Sequence, residues 1–424
     1  MNRSIRQMLL LLCVLLIQSC GGGGGGGSSG SGATPPTPLS VVANSFVNKS
    51  PADLSNFLVP DLSQITGNDG YSSIANTLAV ADFFQSGQYS AFVVGAKTVN
   101  ATRYVRAYFL KYDTSLAKWV DDSSQLFASD SDRIVCDDPR QGLVSEFNGD
   151  SKPDVYVVCA AAGGTAQQAF ISNTNGKYAR QVTNFNADAT SAAIADINGD
   201  SYVDIVTTDG GSVYRVWGGS SSQIGTSAWF SAANKSLISI SQVNNANPPI
   251  NPFPSSVLSL FLVPRSGDLY LVAGGNGSSG GSSQNVVTWH KNFGGYFNST
   301  SARSFVLPGV IPVEDYRYDY VEQDSNGYIF AVSNSAPNKF LQLFRIAAPA
   351  VDSQGQPASG GALLYKYTGT PTYPTPTPAS WATRVIIKNG KLVPYDAACQ
   401  SNPISLLDQR CTQSYALDAD KFIL

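Results

Sequence analysis

The chain of 424 residues has a single histidine, His290, and only 13% charged residues. One histidine excludes the zinc sites that need two or three imidazoles. Lysine and arginine number 27 against 30 aspartates and glutamates, so the protein has no basic field for nucleic acid. Few charges also disfavour long surface helices. The many glycine, serine, asparagine and aromatic residues are typical of short strands joined by polar turns.

The N-terminal segment has the pattern of an export signal. Arg3 and Arg6 precede an unbroken apolar run over residues 8–17. That run is about half the ~20 apolar residues that cross a bilayer, so it suits a signal peptide. Residues 17–20, Ile-Gln-Ser-Cys, resemble the lipobox of bacterial lipoproteins. The resemblance implies a signal peptide over residues 1–19, cleavage before Cys20 and lipid on its thiol. An ordinary cleaved signal is the alternative.

A flexible tether follows Cys20. Residues 21–27 are all glycine, residues 28–32 are serine and glycine, and Pro35, Pro36 and Pro38 stiffen the end. This composition cannot bury apolar area, so residues 20–40 are predicted to be a linker. In the lipoprotein family an aspartate after the cysteine is associated with the inner membrane, so Gly21 favours the outer membrane. Residues 41–424 are left for the folded part.

Four cysteines remain after Cys13 leaves with the signal and Cys20 takes the lipid. They are Cys136, Cys159, Cys399 and Cys411. Four cysteines allow three pairings, and the oxidising compartment of an exported chain favours disulfides. The local pairing, Cys136 with Cys159 and Cys399 with Cys411, is favoured because each pair brackets one candidate hairpin.

An internal repeat indicates the fold. Residues 146–158 (EFNGDSKPDVYVV) and 196–206 (DINGDSYVDIV) share a turn with strand-like flanks, and weaker copies lie around residues 82–94, 258–272, 318–332 and 384–393. The last turn positions are 90, 154, 204, 268, 328 and 392, in steps of 64, 50, 64, 60 and 64. Units of this size hold four short strands, as a propeller blade does. In the third unit, strands are predicted at residues 192–197, 203–207, 212–217 and 229–232.

The two strong copies are similar to the FG-GAP/VCBS repeats of integrin-α-like β-propellers. The resemblance implies an all-β propeller of six or seven four-stranded blades over residues 41–424. A single blade exposes apolar faces, so blades must pack into a ring. Paired β-sandwich domains divided at the proline-rich residues 371–378 are the alternative. We favour an inserted loop between blades for that stretch.

Both strong copies place oxygen-bearing side chains at alternate turn positions. Calcium takes six to eight oxygen ligands, so several must lie on a tightly curved backbone. The predicted ligands are Glu146, Asn148, Asp150, the carbonyl of Lys152 and Asp154 in one turn, and Asp196, Asn198, Asp200, the carbonyl of Tyr202 and Asp204 in the other. An EF-hand is excluded because Ser201 and Thr207 stand where it needs glycine and glutamate. We expect one or two structural calcium ions. An acidic turn without metal is the alternative.

The chain offers no recognisable catalytic set. Ser279 lies in a G-x-S-x-G pattern that lacks the elbow and acid–histidine partners of a hydrolase, so a loop is predicted there. His290 is predicted to lie in a strand on a blade surface. The acid pairs at residues 121–122 and 137–138 are predicted to be solvated turns.

The favoured function is a calcium-stabilised binding or scaffolding module for a protein or polysaccharide ligand. It would be held by lipid at the outer membrane, on its periplasmic or cell-surface face. One alternative is a carbohydrate-active enzyme, a lyase or glycosidase, with a carboxylate pair near the propeller axis. A purely structural part of an envelope assembly is another.

Overall fold

A computed structural model of the chain shows how the repeat folds. It describes residues 62, 65, 70–87, 90–113, 116, 118–209, 212–238, 256–265, 268–279, 282–297, 303–306, 313–321, 326–335, 340–347, 353, 362–366, 384–388 and 391–395. The predicted signal peptide, Cys20, the tether, Cys399, Cys411 and the proline-rich stretch lie outside these residues. In the described part of the chain, no helix is long and apolar enough to cross a membrane.

The described strands form five four-stranded antiparallel sheets and one two-stranded hairpin. The first sheet consists of β1 (Ser72–Ala81), β2 (Ser90–Val99), β3 (Thr102–Asp113) and β4 (Lys118–Asp121), and the second of β5 (Pro139–Ser145), β6 (Asp154–Cys159), β7 (Thr165–Ser172) and β8 (Tyr178–Ala187). The third consists of β9 (Ala192–Ala195), β10 (Asp204–Asp209), β11 (Ser212–Val216) and β12 (Lys235–Leu237).

The remaining strands continue the series. The fourth sheet consists of β13 (Ser256–Arg265), β14 (Asp268–Ser279), β15 (Ser282–Lys291) and β16 (Arg303–Val306), and the fifth of β17 (Val313–Val321), β18 (Asn326–Ser335), β19 (Phe340–Ala347) and β20 (Ala362–Lys366). The hairpin pairs β21 (Arg384–Lys388) with β22 (Lys391–Tyr395). The described helical segments are α1 (Ser123–Leu126) and 3-10 turns at Asp130–Arg133, Ser221–Gln223 and Ala232–Asn234.

The sheets follow one another as propeller blades do. In each four-stranded sheet the strands pair in chain order, and the first strand contacts the first strand of the next sheet, from β1 through β5, β9 and β13 to β17. The predicted all-β propeller fold is therefore confirmed, whereas the number of blades stays a prediction. Because the meander is antiparallel, the turn between the first two strands and the connection between the last two share one end of each sheet. We call this the turn end.

The core lies between successive sheets. Along β6, Val155 and Val157 pack toward the first sheet, while Tyr156 and Val158 pack toward the third. This alternation follows the two-residue period of a strand and explains why β6 is apolar throughout. Between the first two sheets, the ring centroids of Phe109 and Tyr178 are 4.5 Å apart. Burying each such aromatic side chain contributes about 1.5–3 kcal/mol.

Four of the six repeat positions predicted from the sequence are strand starts, whereas Tyr328 and Leu392 are the third residue of β18 and the second of β22. Ser90, Asp154, Asp204 and Asp268 are the first residues of β2, β6, β10 and β14. In the third sheet the first three predicted strands are present, with shifted ends. The predicted strand at 229–232 is wrong, because the fourth strand is Lys235–Leu237.

The misplaced strand has a packing explanation. Trp229 and Phe230 are β-formers by propensity, but both are fully buried between the second and third sheets. Their rings lie 4.8 Å apart, and a 3-10 turn follows before β12 begins. Burial against the neighbouring sheet therefore overrides the local preference for a strand.

Candidate functional site at the motif turns

Three comparable turns lie at the turn end of the first three sheets. We name them by their first residues: the Asp82 turn (residues 82–90), the Glu146 turn (146–154) and the Asp196 turn (196–204). In each, the last residue accepts a hydrogen bond from the backbone N–H seven residues earlier. The pairs are Phe83 N to Ser90 Oγ (3.0 Å), Phe147 N to Asp154 Oδ2 (2.9 Å) and Ile197 N to Asp204 Oδ2 (3.0 Å). We call Ser90, Asp154 and Asp204 the closing residues.

The two closing aspartates make a second bond that the serine does not. Asp154 Oδ1 accepts the N–H of Ser172 at 2.7 Å, and Asp204 Oδ1 accepts the N–H of Gly218 at 2.7 Å. Ser172 is the last residue of β7, and Gly218 lies two residues after the end of β11. Ser90 instead donates its hydroxyl to the carbonyl of Ala81 at 2.8 Å. The aspartates therefore tie three strands of a blade together, whereas Ser90 closes only its own turn.

Burial makes these carboxylates unusual acids. Both Asp154 and Asp204 are fully buried. Burial raises the pKa of Asp204 to about 7, although the N–H groups of Gly218 and Ile197 act against it. The charges of Asp200 and Asp196 raise this pKa as well. Burial likewise raises the pKa of Asp154 to about 7, against the hydrogen bonds from Ser172 and Phe147. Charge on these side chains is therefore disfavoured unless something compensates it.

The other predicted ligands of the Asp196 turn hold its backbone. Asp196 accepts the N–H groups of Gly199 (2.6 Å) and Ser201 (2.8 Å) with its two oxygens. Asn198 Oδ1 accepts the N–H of Asp200 at 2.9 Å, and Asp200 Oδ1 accepts that of Tyr202 at 2.8 Å. These are the local bonds that aspartate and asparagine make in tight turns.

The Glu146 turn has the same plan with one extra link. Glu146 Oε1 accepts the N–H of Asn148 at 2.9 Å, Asn148 Oδ1 accepts that of Asp150 at 3.1 Å, and Asp150 Oδ1 accepts that of Lys152 at 2.9 Å. Asp150 Oδ2 also accepts the hydroxyl of Ser172 at 2.7 Å. The turn is therefore bonded to the third strand through two acidic side chains, Asp150 and Asp154.

The donor set of both turns suits calcium in chemistry, since every predicted ligand offers oxygen. In the structure, however, backbone N–H groups engage these oxygens. No three Asp, Glu, His or Cys side chains of the described residues are gathered as they would be around an ion. The calcium ligands at both turns therefore stay a prediction.

Comparison with known proteins bears on this same region. Residues 147–207 match the family described as FG-GAP-like repeat. The chain carries an FG-GAP-like repeat. The matched segment contains the closing residues Asp154 and Asp204 and the whole Asp196 turn, so the resemblance seen in the two strong copies is confirmed. The chain matches none of the curated proteins.

Several solved structures have a similar arrangement of strands. An exo-1,5-alpha-L-arabinanase from a bovine ruminal metagenomic library is 12% identical, with a TM-score of 0.34 over 69% of this chain and 97% of that one. An endo-1,4-beta-xylanase from Bacteroides thetaiotaomicron is 9% identical, with a TM-score of 0.33 over 71% and 94%. A fructofuranosidase from Schwanniomyces occidentalis is 11% identical, with a TM-score of 0.32 over 70% and 60%. At such identities and scores, these likenesses assign no activity to this chain.

A disulfide braces the opposite end of the FG-GAP-like repeat. Cys136 and Cys159 are bonded, with 6.1 Å between their Cα atoms, as the local pairing predicted. Cys159 is the last residue of β6, and Cys136 lies in the connection that enters β5. The bond therefore fixes the chain where it passes from the first sheet into the second. The predicted pair Cys399 and Cys411 lies outside the described residues.

The remaining chemical candidates are engaged in structure. His290 lies in β15, but it is fully buried and not on a surface as predicted, and its Nε2 is 3.1 Å from Thr288 Oγ1. Residues 286–291 are all buried, so both faces of this part of β15 are covered. Ser279 ends β14 in a hairpin, so no strand-to-helix elbow exists there. Asp138 pairs with Arg140, and Asp121 lies 3.7 Å from Arg133.

One cluster at the turn end was not predicted. Arg215 lies over the rings of Trp217 and Tyr296, with its Cζ 4.7 Å and 4.3 Å from their centroids. Tyr296 is 63% exposed and Phe293 41%. The sequence signal was the pair Gly294 and Gly295 between two aromatic residues, which is typical of a tight turn that presents rings.

Proposed function

We propose that this protein is a calcium-stabilised β-propeller, tethered at the outer membrane, that binds or scaffolds a protein or polysaccharide ligand. The observation that carries the proposal is the hydrogen bonding that holds the turn end. Three turns are closed by the same hydrogen bond, and connections from one sheet are bonded to the next. A preorganised surface of this kind binds with a smaller loss of conformational entropy.

The bonds between sheets support this view. From the second sheet, Asn184 Nδ2 donates to the carbonyl of Trp229 at 3.1 Å in the third. From the fourth, Asn292 Nδ2 donates to the carbonyl of Ile197 at 2.7 Å, at the start of the Asp196 turn. Lys177 Nζ donates to the carbonyl of Gln125 at 2.6 Å, in the segment after the first sheet. Neighbouring turns are therefore held in a fixed relation.

Calcium is proposed because it would compensate the charge of the turns. Asp196, Asp200 and Asp204 are close enough for the first two to raise the pKa of the third. A divalent cation bound by their oxygens would favour the ionised carboxylates and stabilise the folded state by mass action. The role assigned to it is structural.

A binding role is favoured over catalysis because one acid of each predicted pair and both closing aspartates are engaged elsewhere. Asp121 and Asp138 lie in ion pairs with arginines, and Asp121 also accepts the N–H of Ser123 at 2.9 Å. Asp154 and Asp204 have both oxygens on backbone N–H groups. Acids bound in this way are poorly placed to face one glycosidic bond.

The anchor is proposed at Cys20, with the glycine-rich residues 21–32 as spacer. Cys20→Ser should leave the chain without lipid and move it from the membrane pellet to the soluble fraction. The conservative change Cys13→Ser, inside the predicted signal peptide, is the matched control. Membrane attachment of the Cys20→Ser protein that equals wild type would contradict the anchor.

The function itself is tested by affinity capture from solubilised outer membrane, with the full-length chain as bait. One arm contains calcium and the other a calcium chelator. We expect a protein or polysaccharide to be retained in calcium and lost in chelator, and lost by the Asp196→Ala, Asp200→Ala double variant in both arms. Equal recovery on an unrelated lipoprotein bait would refute a specific binding role.

A further inference from the structure

The segment after β15 is built to present two aromatic rings. Phe293 and Tyr296 form a tight turn in which the Phe293 N–H donates to the Tyr296 carbonyl at 2.7 Å. Gly294 and Gly295 both have positive φ, at 61° and 87°. A side chain at Gly295 would collide with Trp217, because a Cβ there would lie 2.1 Å from its ring. Glycine is therefore required by both backbone and space.

This turn is fixed on three sides. Asn292 Oδ1 accepts the Gly295 N–H at 2.7 Å, and Asn292 Nδ2 bonds to the Asp196 turn. Arg215 Nη1 donates to the Gly295 carbonyl at 2.6 Å, while its guanidinium lies over the rings of Trp217 and Tyr296. These bonds hold the turn in place, yet Tyr296 is 63% exposed to solvent. Rigid, exposed rings held in this way are typical of binding surfaces.

A further ring lies on the adjoining turn. Tyr202 is 40% exposed in the Asp196 turn. The backbone at Gly218, next to Trp217, contacts the Asp196 turn. A Cβ at Gly218 would collide with the carbonyl oxygen of Val203 in that turn. Trp217 thus lies between the Asp196 turn and the tight turn at residues 293–296. We call Trp217, Phe293 and Tyr296 the aromatic patch, and Tyr202 lies on the turn beside it.

The charges around the patch favour a neutral occupant. Lys291 is paired with Asp268 at 2.9 Å, and Arg215 is covered by the two rings. When no cation is bound, Asp196 and Asp200 on the adjoining turn would repel an anionic polymer. Ring faces, which carry a negative quadrupole, attract the C–H faces of a sugar.

We infer that the aromatic patch is a binding site for a neutral polysaccharide, whose sugar rings stack on Tyr296 and the neighbouring aromatic side chains. The inference rests on the proposed binding function and narrows its ligand to one class. Ser221 and Ser222 are exposed in the connection that follows Trp217, and the Ser222 hydroxyl lies 2.8 Å from that of Ser220.

The test uses the full-length chain in a neutral detergent and immobilised dextran, laminarin, galactomannan and xylan, with alginate as the anionic comparison. In calcium-containing buffer, we expect binding to at least one neutral polysaccharide. In chelator, where no cation neutralises Asp196 and Asp200, we expect no binding to alginate. Tyr296→Ala should weaken the binding to neutral polysaccharide about tenfold or more. Its melting temperature should fall only slightly, because the exposed ring loses little more than its contact with Arg215. Tyr104→Ala removes a 44% exposed tyrosine from β3 of the first sheet and is the matched control. It should bind as wild type does.

Binding of Tyr296→Ala equal to wild type would overturn the inference, as would wild type that binds none of the four neutral polysaccharides. The same variants in the membrane capture separate the two proposals. A captured protein that depends on Tyr296, without polysaccharide binding, leaves the binding module standing and refutes the sugar site. Loss of specific capture and of polysaccharide binding together refutes both.

Discussion

The Asp82 turn and the Asp196 turn have the same backbone and different chemistry. Each is closed by a bond from the N–H seven residues earlier, and each has positive φ at the same two places. These places are Gln85 and Gly87 in the first turn, and Gly199 and Ser201 in the second, with Gly149 and Ser151 in the Glu146 turn. The Asp82 turn achieves this with a serine hydroxyl. The turn shape therefore does not require the carboxylates.

The carboxylates of the Glu146 and Asp196 turns add hydrogen bonds that reach beyond the turn itself. Asp82 still holds its turn by accepting the N–H groups of Ser86 and Gly87. At the positions of Asn198 and Asp200, however, the Asp82 turn has Phe84 and Ser86. Of these three turns, only the Asp196 and Glu146 turns combine the link to the third strand with an oxygen-rich interior. The Asp82 turn therefore serves as an internal control for the effects of the third-strand link and of the oxygen-rich interior.

The largest expected effect is loss of the link to the third strand. Asp204→Ala leaves the N–H groups of Ile197 and Gly218 buried without an acceptor, at about 1–3 kcal/mol each. We expect the free energy of unfolding to fall by about 4 kcal/mol, measured by urea unfolding in chelator so that no cation contributes. Ser90→Ala leaves one such group and should cost about half as much. Equal losses for the two variants would contradict the difference between the turns.

Loss of the disulfide should be nearly as large and independent of the turns. Cys136 and Cys159 are separated by 23 residues in sequence. In the chain-entropy account, a loop of this length is worth about 3 kcal/mol. The double variant Cys136→Ser, Cys159→Ser should lower the melting temperature and keep the full response to calcium, because the bond lies at the opposite end of β6. A lost calcium response would show that the two ends are coupled.

Calcium removal should come next in size. At free calcium a hundredfold above the dissociation constant, binding stabilises the folded state by about 2.7 kcal/mol. Chelation should therefore lower the melting temperature of wild type, and Asp196→Ala with Asp200→Ala should remove much of that shift. Asp82→Ala is the matched control and should keep it. A wild-type melting curve that is the same in calcium and in chelator would contradict the calcium proposal.

The sequence predicted what is local and periodic. The spacing of the turns located the starts of four second strands and the closing residues, because a strand–turn–strand unit repeats its hydrogen bonds at fixed offsets. Packing between sheets was harder to predict from the sequence. Trp229 and Phe230 have strand propensity but fill the space between two sheets, and His290 is buried where a surface was expected. The alternation of side chains along a strand predicts which residues share a face. It does not predict which part of the molecule packs against that face.

The aromatic patch could not be predicted for a related reason. Trp217 and Tyr296 are 79 positions apart, and they meet only because the third and fourth sheets are neighbours. Arg215 joins them through its guanidinium. Nothing periodic in the sequence relates a connection in one blade to a connection in the next. The second bond of each closing aspartate, to Ser172 or Gly218, was missed in the same way.

The smallest expected effect concerns backbone strain. Ser201 and Ser151 have φ of 72° and 62°, at the place where the Asp82 turn has Gly87 at 75°. A left-handed conformation costs a non-glycine residue roughly 1–2 kcal/mol, and the extra entropy of an unfolded glycine offsets about 0.4–1 kcal/mol of that. Ser201→Gly should therefore stabilise the fold by about 0.5–1 kcal/mol. Gly87→Ser should destabilise it by a similar amount, both measured by urea unfolding. If Ser201→Gly destabilises instead, the serine hydroxyl contributes a contact that offsets its strain, and the three turns are less alike than their backbones indicate.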